Sequence, residues 1–364
     1  ASRFRGIGRY ALSLTKEIAR RSRGHEILVI GNESLPVSAA DLHHGLQGAV
    51  PMSNIKMFSA PVPVSWYSDA NAWRRSAAEL ARESFIKQLQ PDAVLVTSLF
   101  EGAQEDAVLS VDRLPGANFP TLVVLYDLIP MLAPDKYLGA KWAHDWYFQA
   151  IEHLQQADLL LSISEHSKRE AHGVLGLNAD RIVNISSACD ESFRPISLTP
   201  EEHRKLRARH GLAGEFVLCT GAMDERKNIS RLVHAYAALP PELVRRYQLA
   251  LAGKWHPQEE GLIGELAASL GVAGRVVVLQ HVSDQTLVQL LNAATLFVFP
   301  SMQEGFGLPP LEAMACGTAT ITSRATSLPE VVGLEEAMFE PTDVAGITAL
   351  MQKTLVDGAF RRRL

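Results

Sequence analysis

The sequence has few cysteines and no recognisable metal-binding spacing. Its 364 residues include three cysteines, Cys189, Cys219 and Cys316, and none of them forms a Cys-x-x-Cys pair. This pattern argues against a disulfide framework and a cysteine zinc site, and it favours a reducing compartment, which we expect to be the cytoplasm. The twelve histidines are scattered, and no Asp-x-Asp triplet occurs. We therefore expect neither a metal nor a resident cofactor.

The sequence also lacks a large excess of charges of one sign, and it lacks an apolar run long enough to span a membrane. Lys and Arg number 35 against 40 Asp and Glu, which gives a formal charge of −5. This balance argues against a nucleic-acid binder held by phosphate contacts. No apolar run approaches the roughly 18 residues needed to cross a bilayer. The N-terminus has neither an initiator Met nor a signal-peptide segment, so we expect the chain to begin after a lost segment.

The sequence does contain short apolar runs that alternate with helix-length amphipathic segments. Most runs are rich in Val, Leu and Ile without alternation, which is typical of parallel strands covered on both faces. The length and an apolar fraction of 47% indicate two domains. The predicted strands are His25–Ile30, Ile55–Phe58, Asp92–Thr97, Thr121–Tyr126, Asp158–Ser162, Arg181–Ile185, Glu215–Thr220, Tyr247–Ala252, Arg275–Leu279, Leu296–Phe299 and Ala319–Thr322.

We place the domain boundary in the proline-containing, non-periodic segment 188–198, and we expect new helices to start at Thr199 and, later, at Ser283. The prediction is an α/β protein with two Rossmann-like, doubly wound parallel-sheet domains, residues 1–192 and 193–364, that face a central cleft. The first strand of the N-terminal domain is missing from this pattern.

The sharpest motif is the thirteen-residue string from Pro300 to Glu312, in which a buried strand runs into a glycine-containing turn and then a helix with prolines in its first turn. Backbone amides at such a helix start favour a phosphate group. Glu304 precedes these amides and Glu312 lies about one turn into the helix, so each carboxylate could bind hydroxyls on one side of a diphosphate. The alternative is a strand-to-helix turn with two solvated glutamates.

This string resembles the retaining nucleotide-sugar glycosyltransferases with the GT-B fold, of the Glu-x7-Glu group (glycosyltransferase family 4-like). The resemblance implies that Glu304 contacts the donor sugar and Glu312 the nucleotide ribose. It also implies that the amides of Phe306, Gly307 and Leu308 reach the sugar and the diphosphate. The resemblance covers nearly the whole chain and includes Arg5–Tyr10, Ser98–Gly102, Asp127–Pro130, Ser164–Ser167, Thr220–Gly221, Asp224–Asn228 and Ser327–Glu330.

Arg226 and Lys227 follow a strand in the second domain, where cations could stabilise the charge on a departing nucleoside diphosphate. Lys227 matches the family's lysine. Many relatives carry a second cation where this chain has Ala222, and Arg226 is the candidate to replace it. The alternative is a solvated basic turn. No carboxylate is obviously placed as a nucleophile, so a front-face reaction and a covalent route through Glu304 both stay open.

Tyr126 and Asp127 end an apolar strand at the predicted cleft edge. Many relatives have His-Asp here, and tyrosine keeps a hydrogen-bonding tip but loses the titration near neutral pH. Asp127 could orient an acceptor hydroxyl, or it could cap a turn before Pro130.

Gly6 and Gly8 belong to a Gly-x-Gly-x-x-Ala string that fits a dinucleotide fingerprint. By resemblance, this loop faces the donor diphosphate. An alternative is an NAD-dependent oxidoreductase that uses these glycines, with Glu33 on an adenosine ribose. A further alternative is a non-catalytic nucleotide-sugar-binding protein. Trp66, Tyr67, Trp73, Trp142 and Trp146 could line an acceptor saccharide site, although aromatic residues are more often found in cores.

The resemblance is closest to the mannosyltransferases of bacterial surface-polysaccharide synthesis, which implies GDP-mannose as donor and a saccharide or lipid-linked acceptor. Backbone contacts from the segment around His281 and Val282 would hold the base. Residues 1–23 hold seven Lys and Arg against one Glu, so we also expect a possible peripheral contact with anionic lipid at the inner face of the membrane. The seven are Arg3, Arg5, Arg9, Lys16, Arg20, Arg21 and Arg23.

Overall fold

The computed structural model describes residues 6–116, 119–280 and 282–364. Contacts within the chain divide it into two compact units. The N-terminal unit comprises Ala1–Ile163 and Ser167–Ile185, and the C-terminal unit comprises Ser164–His166 and Ser186–Leu364. The change of unit at Ile185 and Ser186 lies earlier in the chain than the boundary predicted between residues 192 and 193.

The described part of the N-terminal unit contains two parallel sheets. One pairs β1 (Val29–Asn32) with β2 (Ile55–Phe58), and the other has the order β3 (Val94–Val96), β4 (Thr121–Leu125), β5 (Leu159–Ser162), β6 (Ile182–Asn184). The helices in this half of the chain are α1 (Gly6–Arg21), α2 (Ala39–Gly45), α3 (Ala72–Gln88), α4 (Ile129–Leu132), α5 (Pro134–Tyr137), α6 (Lys141–Gln156) and α7 (Glu165–Leu175).

The C-terminal unit is built on one parallel sheet with the order β12-β11-β10-β7-β8-β9. Counted within the unit, this is the Rossmann order 6-5-4-1-2-3, and the order reverses between β7 and β10. Its strands are β7 (Glu215–Thr220), β8 (Tyr247–Gly253), β9 (Val276–Gln280), β10 (Leu296–Phe299), β11 (Thr320–Ser323) and β12 (Met338–Phe339).

The helices of this unit connect successive strands, except that the first precedes β7 and the last two follow β12. They are α8 (Pro200–Arg209), α9 (Ile229–Ala237), α10 (Pro241–Arg246), α11 (Pro257–Ser269), α12 (Asp284–Ala293), α13 (Leu308–Ala315), α14 (Leu328–Val332), α15 (Val344–Val356) and α16 (Gly358–Arg361). The predicted helix starts are confirmed, since the side chains of Thr199 and Ser283 cap α8 and α12.

The central strands of the C-terminal sheet are buried on both faces. In β7, Val217 and Cys219 pack into one apolar cluster while Phe216 and Leu218 pack into another. Residues of β10 alternate between the same two clusters. Full burial of such a side chain contributes roughly 1.5–3 kcal/mol. This two-sided burial explains why the strands read as continuous apolar runs rather than alternating ones.

The predicted strands agree with the structure to within a few residues at their ends, and one strand was missed. The missed strand is β12, which has two residues and is too short to give a run. In the described part of the chain, no helix combines the length and the apolar character needed to span a bilayer.

Candidate functional site

The loops after β7 and β10 converge because these strands are neighbours at the point where the sheet order reverses. Open α/β sheets bind ligands at the carboxyl ends of strands at such a point. The β7 loop begins at Gly221, and the carbonyl oxygen of Gly221 lies close to Gly253. A Cβ atom on residue 253 would be only 1.9 Å from that oxygen. A side chain at residue 253 would therefore displace the loop, and glycine is required.

The β7 loop presents two cations to one carboxylate of the β10 loop. Lys227 Nζ lies 2.6 Å from Glu304 Oε1, and Arg226 Nη1 lies 3.5 Å from Glu304 Oε2. Arg226 also pairs with Asp224 through Nε at 3.0 Å. Ser301 Oγ lies 2.5 Å from the same Glu304 oxygen as the lysine. The structure thus joins three predicted site residues, Arg226, Lys227 and Glu304, in one network.

Asn228 and the backbone of Arg226 hold the two loops together. The buried Asn228 amide donates to Pro300 O at 3.0 Å and to Pro341 O at 2.6 Å. Its backbone is left-handed, with φ of 60°, a conformation that Asn tolerates better than most residues. Met302 N donates to Arg226 O at 2.6 Å. Because these bonds use backbone carbonyls, they fix the loops independently of the ion pairs.

The side chains of Thr326 and Ser327 form hydrogen bonds with the backbone of the loop that carries Glu304. The sequence predicts no role for either residue. Glu304 N donates to Thr326 Oγ1 at 3.0 Å, and Ser327 Oγ donates to Phe306 O at 2.6 Å. Thr326 has φ of 50°, which is unusual for a β-branched residue. Ser327 lay inside a quoted motif, but Thr326 gave no sequence signal because its partner is a distant backbone amide.

The helix α13 begins at the end of this loop, as the proline pattern predicts. Gly307 is its N-cap with φ of 116°, and a Cβ at this position would lie 2.7 Å from Leu328 Cδ2. The two prolines that follow Leu308 carry no N–H, so the amide donors at this end come from Phe306, Gly307 and Leu308. The helix dipole adds positive potential there, which suits a phosphate group.

Glu312 lies on α13 and is only 6% exposed. Cys316, on the following turn, is also buried. Burial raises the pKa of the Cys316 thiol to about 11, and nearby Cys189 and Glu312 add to the shift. The thiols are therefore neutral at physiological pH. Val282 is half-buried against the same side of the sheet, and His281 lies outside the described residues.

Tyr126 and Asp127 occupy the carboxyl end of β4 in the N-terminal unit. Tyr126 is buried, its hydroxyl donates to Thr97 O at 2.8 Å, and its ring meets Tyr10 edge-on at 5.7 Å. Burial raises the pKa of Tyr126, so its hydroxyl stays neutral. Asp127 Oδ1 accepts a hydrogen bond from Ile129 N at 3.1 Å. This contact fits the role of Asp127 as the cap of the turn before Pro130, one of the two roles that the sequence left open.

Gly6 and Gly8 lie in the first turn of α1, and Gly6 is exposed with open space beside it. Arg3 and Arg5 lie outside the described residues. Across residues 6–116, 119–280 and 282–364, no group of three or more His, Cys, Asp or Glu side chains is arranged to hold a metal ion.

These features define a fold. An N-terminal α/β unit followed by a Rossmann-ordered unit is the architecture of the GT-B glycosyltransferases. HepE of Anabaena, solved with UDP and glucose, superimposes with a TM-score of 0.67 at 20% identity, covering 97% of this chain and 88% of that one. Sucrose-phosphate synthase from Thermosynechococcus elongatus gives a TM-score of 0.69 at 21% identity, covering 98% and 86%.

Sequence comparison adds a family match. Residues 202–364 match the family model described as glycosyl transferases group 1. The serotype-specific mannosyltransferase WbdA of Escherichia coli is 38% identical over 367 residues, which cover 100% of this chain and 43% of that protein. The O-antigen chain mannosyltransferase B of Escherichia coli is 39% identical over 211 residues, 58% of this chain and 55% of that protein.

The chain thus spans less than half the length of WbdA. The comparisons give no support to an oxidoreductase that uses Gly6 and Gly8, nor to a non-catalytic binding protein.

Proposed function

We propose that this chain transfers mannose from GDP-mannose to a saccharide or lipid-linked acceptor, with retention of the anomeric configuration, in bacterial surface-polysaccharide synthesis. The observation that carries the proposal is the Lys227–Glu304 pair beside the start of α13, at the ligand-binding edge of a Rossmann sheet. The identity to a mannosyltransferase over the full chain supports the sugar.

In this proposal the cations stabilise the leaving group. Lys227 and Arg226 would neutralise the diphosphate as the glycosidic bond breaks, together with the amides of Gly307 and Leu308. The ligand-free ion pair would then reorganise, since Lys227 would turn from Glu304 to the phosphate. Glu304, released from the lysine, would accept hydrogen bonds from sugar hydroxyls. No bound metal is needed for this chemistry.

The remaining donor contacts follow from their positions. Glu312 would accept hydrogen bonds from the ribose, the amide of Phe306 would reach the sugar, and the backbone at Val282 would contact the base. Gly6 and Gly8 of the N-terminal unit would face the diphosphate. Because its own proton goes to Thr97, Tyr126 would offer a hydroxyl oxygen as acceptor. Asp127 would orient the acceptor hydroxyl.

A cytoplasmic enzyme that meets anionic lipid through α1 is part of the proposal. Lys16 is buried, and Glu17 pairs with Arg20 at 3.0 Å and Arg21 at 3.1 Å. Lipid phosphates would therefore have to replace Glu17 as partners of these arginines. Co-sedimentation with anionic vesicles at low salt tests this contact, and protein that stays in the supernatant would refute it.

A thermal-shift panel tests the donor. A nucleotide at 100 times its Kd adds about 2.7 kcal/mol of stability, and at equal concentration the nucleotide with the lowest Kd stabilises the protein most. Because the proposed donor is GDP-mannose, we expect GDP to raise the melting temperature more than UDP or ADP. GDP-mannose should also turn over faster than UDP-glucose. A larger shift with UDP or ADP would reject the donor and leave the fold and the match to the glycosyl transferases group 1 model intact. Absence of a shift with every nucleotide, together with no turnover, would reject the transferase activity.

A further inference from the structure

The N-terminal unit exposes aromatic rings that a folded protein would ordinarily bury. Tyr67 is 69% exposed and Trp73 is 66% exposed, and they are the only aromatic side chains among the large exposed apolar residues of the described ranges. The ring of Trp142, on α6, lies 5.7 Å from that of Tyr67. We call Tyr67 and Trp142 the aromatic patch.

Buried polar side chains fix the loop that carries Tyr67. Arg75, which is 9% exposed, donates to Ser65 O and Ser68 O, both at 3.2 Å, and Asn71, which is 4% exposed, donates to Ser65 O at 2.9 Å. Asp106 accepts hydrogen bonds from the backbone on the other side of the loop. Tyr67 is therefore exposed on a loop whose backbone is held in place by hydrogen bonds to buried polar side chains.

A small pocket of about 30 Å³, lined by aromatic and polar groups, is connected to the patch through α6 and through the loop that carries Tyr67. Trp146 lies one turn after Trp142 on α6, so both point to the same side of the helix. Trp146 and Trp66, the neighbour of Tyr67, line the pocket together with Glu101 and Gln149. Trp66 is also covered by the guanidinium of Arg75 at 4.0 Å. Flat apolar rings beside a few hydrogen-bonding groups suit a ligand that has both an apolar face and a polar edge.

The charges around the patch favour a neutral ligand. Lys141 and Asp145, which flank Trp142, pair with each other at 2.5 Å. The nearby Arg74 donates to Pro63 O and to Asn71 Oδ1. Lys141 and Arg74 thus already have partners, and the Lys141–Asp145 pair adds no net charge beside Trp142.

We propose that the aromatic patch binds a neutral oligosaccharide, whose sugar rings stack their C–H faces on Tyr67 and Trp142 while their hydroxyls reach the polar pocket. The bound saccharide would be a part of the acceptor chain away from its reacting end. This inference rests on the proposed glycosyltransferase function, but it uses a surface that shares no residue with the Lys227–Glu304 site.

The test is a calorimetric titration with linear oligomannosides of increasing length, using the wild type and the double variant Tyr67→Ala/Trp142→Ala. A ring contact of this kind is worth about two- to tenfold in affinity, so the double variant should bind the longer oligosaccharides about fourfold to a hundredfold more weakly. Trp142→Phe should retain most of the affinity. The melting-temperature shift with GDP should be the same in all variants.

Val356→Ala is the control, because Val356 is an apolar residue exposed to 66%, close to the 69% of Tyr67, but it lies in the C-terminal unit. Equal oligomannoside affinity in the double variant and in this control would overturn the proposal. So would a wild type that binds no oligomannoside, or a double variant that loses only binding to anionic vesicles. A chain that binds oligomannosides through these rings but no nucleotide would instead refute the proposed function and support the patch.

Discussion

Two charged clusters, one in each unit, show that burial and charge do not by themselves locate a functional site. In the N-terminal unit, Glu83 Oε2 accepts from the backbone amides of Arg113 at 2.8 Å and Leu114 at 2.7 Å, and Glu79 pairs with Arg113 at 3.0 Å. Arg82 donates to a backbone carbonyl at 3.0 Å. We call Glu79, Arg82, Glu83 and Arg113 the helix cluster, because three of them lie on α3.

The glutamate of the helix cluster that pairs with Arg113 is at least as deeply buried as the carboxylate of the site. The side chain of Glu79 is 7% exposed, whereas those of Glu304 and Lys227 are 11% and 17% exposed. The helix cluster joins α3 to the loop after Ser110. The Lys227–Glu304 site instead lies at the carboxyl edge of a sheet, beside the start of a helix. Position relative to the sheet, rather than depth, separates the chemical candidate from the structural one.

The largest effect should come from the helix cluster. Arg82→Met removes a buried positive charge that attracts Glu83 and Glu79, so that Arg113 is left as the cation of the cluster. Removing one partner of a buried charge pair costs about 3–5 kcal/mol. We expect urea denaturation to show a loss of this size, while the turnover of the remaining folded protein stays near the wild-type value. The exposed Arg204→Met is the control. A stable Arg82→Met variant with lost turnover would reverse the roles given to the two clusters.

The second effect concerns chemistry rather than folding. Lys227→Met should lower kcat/KM by about 10²–10³-fold, because it removes the positive charge that would stabilise the departing diphosphate. The free energy of unfolding should fall less than in Arg82→Met, because Arg226 and Ser301 remain as partners of Glu304. Lys205→Met is matched, since Lys205 pairs with Glu201 at the same 2.6 Å but on an exposed helix face. Equal activities in the two variants would remove Lys227 from the mechanism.

A smaller effect separates the two glutamates of the motif. If Glu312 holds the ribose, Glu312→Ala should weaken GDP binding about ten- to a hundredfold by calorimetry, the range for a hydrogen bond to a charged group. Glu304→Ala should not weaken GDP binding, because GDP would no longer have to displace Glu304 from Lys227, and it should reduce turnover. The opposite ranking would exchange the roles, and equal losses in both variants would contradict the separation.

The smallest effect is a pH dependence confined to the helix cluster. Burial raises the pKa of Glu79 above its ordinary value of 4.5, against the opposing effect of Arg113. The folded protein therefore holds this proton more tightly than the unfolded chain does. The corresponding stability is complete below pH 4.5 and is lost as the pH rises through the raised pKa.

Glu79→Gln cannot ionise and should lack this decline in urea denaturations across the acidic range. The exposed Glu242→Gln should keep it. If the wild type and Glu79→Gln show the same slope, the buried carboxyl does not titrate in this way.

The elements that could be predicted from the sequence are those whose pattern is local. Strand β7 was predicted at its observed bounds because both of its faces are apolar, and α13 because glycine and proline mark its start. The support given by Thr326 and Asn228 could not be predicted. Both act through backbone groups far away in sequence, and those pairings exist only after β7, β10 and β11 have been placed side by side.

The paired state of the site has a kinetic consequence. Lys227, Arg226, Asp224 and Glu304 carry two positive and two negative charges, which sum to zero. A nucleoside diphosphate approaching from solvent would feel little long-range attraction from these side chains. It would enter by ion exchange, displacing Glu304 from Lys227 after contact. The association rate constant should therefore depend only weakly on ionic strength, unlike that of an enzyme whose anion site carries a net positive charge.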